Sequence, residues 1–195
     1  MRKLRSIAAA LLLTALAAAG CAQPGRSGAG WVTLFDGRHF DNFTLVGDAN
    51  WRIVEGLAQA DAGNGYLVSK QSYRDFELRA DVWVDESANS GILIRIQDAA
   101  NITPWTSYEV NLFDRTPNAG YGTGSIVGFA KVERRREAGG NWSTLLISAK
   151  GSHLVVRLNG AETANIHDAK FAAGPFALQR AAGVVKFRKV EVRPL

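Results

Sequence analysis

Apolar and polar residues alternate in several short runs along most of the chain. The clearest run is FELRADVWV, residues 76–84, in which the even positions are apolar and most odd positions are polar. Similar patterns occupy residues 92–97, 108–113, 154–158 and 184–192. Successive side chains of a strand point to opposite faces, so alternation over about five to nine residues predicts half-buried β-strands.

Turn-forming residues separate these runs. They are Asp36-Gly37, Asn64-Gly65, Asn89-Ser90-Gly91, Gly139-Gly140-Asn141, Asn159-Gly160 and Gly174-Pro175. Such pairs favour tight turns between strands, and no segment after the N-terminal leader has a helical period. The sequence therefore predicts an all-β fold, an antiparallel β-sandwich or jelly roll.

The N-terminus has a different pattern. Residues 1–20 begin with three basic residues and continue as an uncharged apolar run ending in small residues. This order is typical of an export signal, and the run of about 13 residues is short of the ~20 that a membrane-spanning helix needs. Residues 21–30 are rich in Gly, Ser and Pro and are expected to be a tether. We expect one domain, residues 31–195.

Cys21, the only cysteine, follows Ala18-Ala19-Gly20 directly. This resembles the lipobox of bacterial lipoproteins, although Ala18 stands where Leu is usual. The resemblance implies that Cys21 is lipidated and holds the protein on a membrane of the cell envelope, the outer membrane or periplasm if the source is Gram-negative. The alternative is an ordinary secretory signal followed by a free cysteine. A single cysteine excludes a disulfide framework.

The charge balance gives no case for nucleic acid. The chain has 23 basic and 18 acidic residues, a net charge of +5. Three of the basic residues lie in the leader, so 20 basic and 18 acidic residues remain after its removal. The one dense cluster, Arg134-Arg135-Arg136, is flanked by Glu133 and Glu137, which is typical of a solvated loop or strand end.

Several stretches resemble, in order, the 3-keto-disaccharide hydrolase domain family. They are Trp31–Gly37, Trp51–Leu57, Tyr73–Leu78, Asn89–Ile92 with Arg95, Tyr108–Val110 with Asp114, Leu158–Gly160, Leu178-Gln179 and Phe187-Arg188. The resemblance spans the whole of 31–195 and implies a concanavalin A-like β-sandwich. It also implies a carbohydrate ligand on one sheet face and, in some members, cleavage of glycosides oxidised at C3. Two departures, Asn111 where many members carry Gln and Arg180 where His or Asn is frequent, leave the activity less secure than the fold.

Parity places the candidate residues on one face. If Ile92, Ile94, Ile96 and Tyr108, Val110, Leu112 face the core, the odd positions Asn89, Arg95, Gln97, Glu109 and Asn111 share the other face. Asp114 joins them only if a bulge intervenes or the strand has ended. Glu109 and Asp114 are too far apart along a strand for the carboxylate pair of a retaining glycosidase, about 5–5.5 Å apart.

A 3-keto sugar allows another route. Its C3 carbonyl acidifies the C2 proton, so one base and one group that stabilises the enolate oxygen suffice. We expect Glu109 to be the base and Arg95 the oxyanion partner. The expected substrate-binding residues are Asn89, Asn111, Asp114, Gln179, Trp105 and Tyr121, the last two by stacking on a sugar ring.

Other interpretations stay open. Glu109 and Arg95 could form a cross-strand ion pair on a solvated face, and Trp105 and Tyr121 could pack loops. The domain could be a carbohydrate-binding module without turnover, or an envelope lipoprotein with no small ligand. No cofactor is expected, although a divalent cation held by carboxylates would have no signature here. The sequence does not indicate an oligomeric state.

Overall fold

The computed structural model describes residues 30–195, which form thirteen strands and one 3₁₀ turn. The strands are β1 (Val32–Phe35), β2 (Phe43–Gly47), β3 (Arg52–Val54), β4 (Leu57–Ala60), β5 (Gly65–Ser69), β6 (Phe76–Val84), β7 (Asn89–Ile94), β8 (Tyr108–Leu112), β9 (Trp142–Lys150), β10 (His153–Leu158), β11 (Ala161–His167), β12 (Ala177–Ala182) and β13 (Val185–Pro194). The 3₁₀ turn covers Ala119–Tyr121, in the long connection between β8 and β9.

The strands form two sheets. The larger has eight strands in the order β11-β10-β9-β6-β13-β4-β3, with β1 also paired to β13. The smaller has five strands in the order β2-β5-β12-β7-β8. Every pairing between these strands is antiparallel. The predicted antiparallel β-sandwich is confirmed.

The inner faces of the two sheets make one apolar core. On β6, the even positions from Phe76 to Val84 are buried while the odd positions are half-buried, as the alternation predicts. The smaller sheet contributes Ile92, Val110 and Leu178 to the same core, and all three are fully buried. The outer face of the smaller sheet is therefore the face that carries the odd positions of β7 and β8.

The alternation breaks at the end of β7. Arg95 has a φ of +52°, a left-handed conformation that non-glycine residues rarely adopt. The chain reverses its parity there, and Ile96 packs with Leu93 and Ile102 in a second, smaller apolar cluster outside the main core. The prediction that Ile96 faces the core is therefore wrong, because a regular strand ends before it.

Candidate functional site

Glu109 lies on the outer face of the smaller sheet, opposite Leu93 in the pairing of β7 with β8. Only 7% of it is exposed, and within residues 30–195 its carboxyl group receives no hydrogen bond. Burial raises the pKa of Glu109 to about 7, with no neighbouring charge contributing. A carboxyl group that is buried, unpaired and close to half-ionised at neutral pH is suited to proton transfer.

A row of polar residues crosses the sheet beside Glu109. Gln179 of β12 pairs with Gly91 of β7, and Gly91 pairs with Asn111 of β8. Residues directly opposite each other in neighbouring strands point to the same face. Gln179, Gly91 and Asn111 therefore share the outer face with Glu109, two positions along the strands from it.

The middle of this row, at Gly91, has no side chain. A Cβ atom there would lie 3.4 Å from Gln179 Oε1 and 3.5 Å from Glu109 Cγ. It would also lie 2.8 Å from Val110 O, closer than real contacts allow. The side chains of Gln179 and Glu109 thus reach over the same glycine from opposite sides, and Gly91 forms the floor between them.

The flanking segment, residues 122–127, extends the row beyond β8. Gly124 N donates to Asn111 O, and Asn111 N donates to Ser125 O. With Gly124 at φ +90°, this is the arrangement of a G1 β-bulge, in which a glycine and the residue after it oppose one residue of the partner strand. Ser125 therefore lies beside Asn111, and the next residue, Ile126, enters the core.

Three side-chain atoms of this row are buried without a hydrogen-bond partner. They are Asn111 Oδ1, Gln179 Oε1 and Ser125 Oγ. The orientation of Asn111 is fixed, because its Nδ2 donates to Tyr121 O at 2.6 Å and so directs Oδ1 away from that bond. Native structures rarely leave buried polar atoms unpaired, since each costs about 1–3 kcal/mol. Three such atoms beside an unpaired carboxyl group indicate a site for a polar ligand.

The two aromatic candidates differ in their positions. The Trp105 side chain is exposed, with 68% of the residue accessible, and its ring lies 3.4 Å from where a Cβ of Gly128 would be. Gly128 follows Val127, whose N donates to Glu109 O, so Trp105 stands at the edge of the site. Tyr121 contacts the site through its carbonyl oxygen, while its ring faces Lys131 Nζ at 5.8 Å.

Asn89 begins β7 and shares the parity of Gly91. It pairs with Ala182 beyond a bulge in β12 and is half-buried. It therefore lies at the end of the same outer face, one step further from Glu109 than Gly91 is.

Arg95 is not beside Glu109, which corrects the predicted pairing. Arg95 is fully buried, and its guanidinium donates to the carbonyl oxygens of Arg74, Gly151 and Phe171. A longer contact of 3.4 Å joins it to Asp75. Its left-handed backbone turns the side chain out of the outer face, and these acceptors occupy its N–H groups. Arg95 joins loops at one end of the sandwich and has no free donor for an enolate.

Asp114 is likewise used within the fold. It follows the end of β8, and its carboxylate accepts hydrogen bonds from Thr123 Oγ1 at 2.5 Å and from the backbone N of Ala138 and Gly139. These bonds tie the flanking segment to the start of β9. The expectation that Asp114 binds substrate is not supported, because its acceptor positions are already occupied.

The remaining expectations concern the leader and a metal ion. Cys21 and the leader lie outside the described residues. Within residues 30–195, no group of three or more His, Cys, Asp or Glu side chains could hold a metal ion, and no helix is long and apolar enough to cross a membrane.

The sequence did not point to Ser125 or to the role of Gly91. Ser125 follows the Gly-rich stretch 120–124, which has no alternation that would assign it to a face. The one available signal was the Gly124-Ser125 pair itself, since a glycine before a short apolar run is compatible with a bulge.

Comparison with known proteins agrees with this fold. A candidate glycosyl hydrolase from Parabacteroides distasonis superimposes with a TM-score of 0.75 at 19% identity, over 85% of this chain and 94% of that one. A second from the same organism gives 0.72 at 22% identity, over 85% and 99%. The carbohydrate-binding module CBM66 of Bacillus subtilis gives 0.60 at 17% identity, over 84% and 95%. At these identities the likeness shows a common fold.

The sequence itself carries the family assignment. No curated protein matches the chain. The model of the 3-keto-alpha-glucoside-1,2-lyase-like domain matches residues 30–193, which includes β1 to β12, all but the last residue of β13 and every residue of the site. The chain therefore belongs to the 3-keto-alpha-glucoside-1,2-lyase-like domain family.

Proposed function

We propose that this protein cleaves 3-keto-glycosides by elimination, with Glu109 as the base. The observation that carries the proposal is the environment of Glu109, which is buried, has no ion-pair or hydrogen-bond partner in the described chain, and adjoins three unpaired polar atoms. Family membership supplies the substrate class.

The chemistry requires one base and no nucleophile. The Glu109 carboxylate takes the proton from C2, and the C–H electron pair forms a C2=C3 double bond as the C3 carbonyl becomes an enolate. The enolate then re-forms the carbonyl, the double bond moves to C1=C2, and the C1–O bond breaks. The departing oxygen receives the proton held by Glu109, and water can later add to the unsaturated ketone.

The pKa of Glu109 suits this step. An ordinary glutamate would be fully ionised at neutral pH but a weak base, whereas a group with a pKa of about 7 is a stronger base and still about half-ionised. Because burial alone raises this pKa, a substrate that excludes water from the site raises the basicity of Glu109 further.

The neighbouring groups fit a sugar. Asn111 Oδ1 and Gln179 Oε1 are acceptors, and sugar hydroxyl groups are donors. Asn89 lies within the same face, and the exposed ring of Trp105 offers an apolar wall on which a sugar ring can stack. These contacts would hold the ring against the side chains of Glu109 and Gln179, which meet over Gly91.

The test is turnover of a 3-keto-glucoside, measured as the rate at which the alcohol is released. We expect wild-type protein to release it at a rate that rises with pH through about 7, and Glu109→Gln to lose activity at least 100-fold. Glu162→Gln, at an exposed residue of β11 paired with Arg157, is the matched control and should retain full activity. Equal turnover by wild type and Glu109→Gln would refute the mechanism.

A carbohydrate-binding module without turnover is the second candidate. The unpaired acceptors favour it as much as they favour catalysis, because they require only a ligand that donates hydrogen bonds. In that case calorimetry would detect glycan binding that Glu109→Gln retains, with no alcohol released from any 3-keto-glycoside.

A further inference from the structure

We propose that the Ser125 hydroxyl is the hydrogen-bond donor that stabilises the enolate oxygen during this reaction. The inference rests on the proposed elimination and gives Ser125 the role that Arg95 does not fill.

Ser125 differs from the other buried serines. Ser69, Ser90 and Ser107 donate their hydroxyl protons to the carbonyl oxygens of Gln71, Gln179 and Thr103. Ser143 Oγ accepts a hydrogen bond from Asn159 Nδ2. Within residues 30–195, Ser125 is the buried serine whose hydroxyl has no partner, although the residue is fully inaccessible. A buried hydroxyl without a protein partner keeps its proton for a ligand that reaches it.

The chemistry of the row leaves few donors for an enolate. Glu109 and Asn111 Oδ1 can only accept when the carboxyl group is ionised and the Asn111 amide is held by Tyr121 O. No Lys or Arg stands in the two cross-strand rows formed by Val68, Ala177, Leu93 and Glu109 and by Tyr66, Gln179, Gly91 and Asn111. The Ser125 hydroxyl carries a proton that it donates to no other group.

The position of Ser125 relative to Glu109 suits the two groups of the substrate that react, the C2 proton and the C3 oxygen. Val127 N donates to Glu109 O and Asn111 N to Ser125 O, so Ser125 is the diagonal neighbour of Glu109 across the strand gap. Diagonal neighbours lie about 7–8 Å apart at their backbones, within reach of long side chains. The base acts on the C2 proton and the donor on the oxygen of the adjacent C3. Glu109 and Ser125, on this diagonal, can therefore reach two neighbouring groups of one sugar ring.

In the proposed step, Ser125 keeps its proton throughout. As Glu109 removes the C2 proton, negative charge gathers on the C3 oxygen, and the Ser125 O–H donates a hydrogen bond to it. The bond weakens again when the carbonyl re-forms and the C1–O bond breaks. Because the bond is strongest to the enolate, Ser125 lowers the barrier and contributes little to ground-state binding.

The experiment compares Ser125→Ala with Ser143→Ala, a buried serine of β9 in the opposite sheet. With a 3-keto-glucoside, Ser125→Ala should lower kcat roughly 100- to 1000-fold, as loss of an oxyanion donor does, and leave KM within about threefold. Ser143→Ala should retain kcat. With substrate deuterated at C2, Ser125→Ala should show a larger kinetic isotope effect than wild type, since proton removal becomes more rate-limiting.

The outcomes separate this inference from the proposed function. If Glu109→Gln is inactive while Ser125→Ala matches wild type in kcat and isotope effect, elimination stands and the role of Ser125 is wrong. A loss of kcat in Gln179→Met but not in Ser125→Ala would assign the donor to the Gln179 amide instead. If Glu109→Gln has full activity, the proposed function and the role of Ser125 both fail. Circular dichroism confirms that each variant folds.

Discussion

Arg95, directly after β7, and Glu109, in β8, are both buried ionisable residues, but their surroundings differ. Arg95 donates to three carbonyl oxygens and contacts Asp75, so its N–H groups all have acceptors, although burial lowers its pKa. Among residues 30–195 Glu109 has no such partner, and burial raises its pKa to about 7. Breaking the contacts of a buried, fully hydrogen-bonded ion is costly, whereas an ionisable group buried without a partner lowers stability and is typical of functional sites.

Glu109→Gln should therefore stabilise the protein at neutral and higher pH. The pKa of Glu109 is about 7 in the folded state and 4.5 ordinarily. Between pH 4.5 and 7 the folded state therefore keeps a proton on Glu109 that the unfolded state has lost. Stability of the wild type then falls as pH rises from about 4.5 to 7, by about 3 kcal/mol at ~1.4 kcal/mol per pKa unit. Urea unfolding at pH 4 and pH 8 measures this, and the advantage of Glu109→Gln should appear only at pH 8.

Asp114→Asn is the contrasting variant. Its carboxylate accepts bonds from Thr123, Ala138 and Gly139, so replacement should destabilise the protein by about 1–3 kcal/mol at pH 8. A stabilising effect of Asp114→Asn, or a destabilising one of Glu109→Gln, would contradict the distinction between the two carboxyl groups.

At the scale of the strands, alternation predicted well wherever the chain is regular. It identified β6, β7, β8 and β10 and assigned Glu109 and Asn111 to the face opposite the core. It failed at Arg95, because a left-handed non-glycine residue reverses parity without leaving a mark in the hydrophobic pattern. It also could not place Ser125, whose position depends on a bulge and on hydrogen bonds between segments distant from strand signals.

The bulge at Gly124 gives a prediction at this scale. Gly124 has φ +90°, and a Cβ there would lie 2.8 Å from the Thr163 side chain. Gly124→Ala should cost more than the ~1–2 kcal/mol of the left-handed conformation alone and should displace Ser125, lowering activity as well as stability. Gly160→Ala is the matched control, because Gly160 has φ +81° with nothing within 4 Å of its Cβ position.

Thermal unfolding and turnover measure both effects. Gly160→Ala should lose only stability. Equal activity in the two variants would show that the bulge does not position the site.

At the scale of the whole molecule, the two sheets differ in that only the smaller one carries the candidate site. The larger sheet packs against the inner face of the smaller sheet through the shared core, and the outer face of the smaller sheet carries Glu109 and its polar neighbours. The described chain begins at Gly30, whose Cβ position lies 3.3 Å from Arg193 of β13, in the larger sheet. Gly30 therefore lies against the sheet that does not carry the site.

The lipobox resemblance predicts that Cys21 anchors the protein to a membrane. In a Gram-negative host, wild-type protein should sediment with membranes and incorporate labelled palmitate. Cys21→Ser should incorporate none and should remain as an uncleaved precursor or appear in the aqueous fraction. Label in Cys21→Ser equal to wild type would contradict lipidation at this residue, and the ordinary secretory signal would then be the better interpretation.

The glycine at position 91 allows related chains to be compared from their sequences alone. Any other amino acid at this position would project its Cβ between Gln179 and Glu109 and fill the floor of the site. Chains of the same fold can therefore be sorted from sequence alone, by whether the residue aligned with position 91 is glycine and whether a carboxylate stands at position 109. Where both are present the carboxylate adjoins a position without a side chain, and where a larger residue replaces the glycine its side chain would meet those of Gln179 and Glu109.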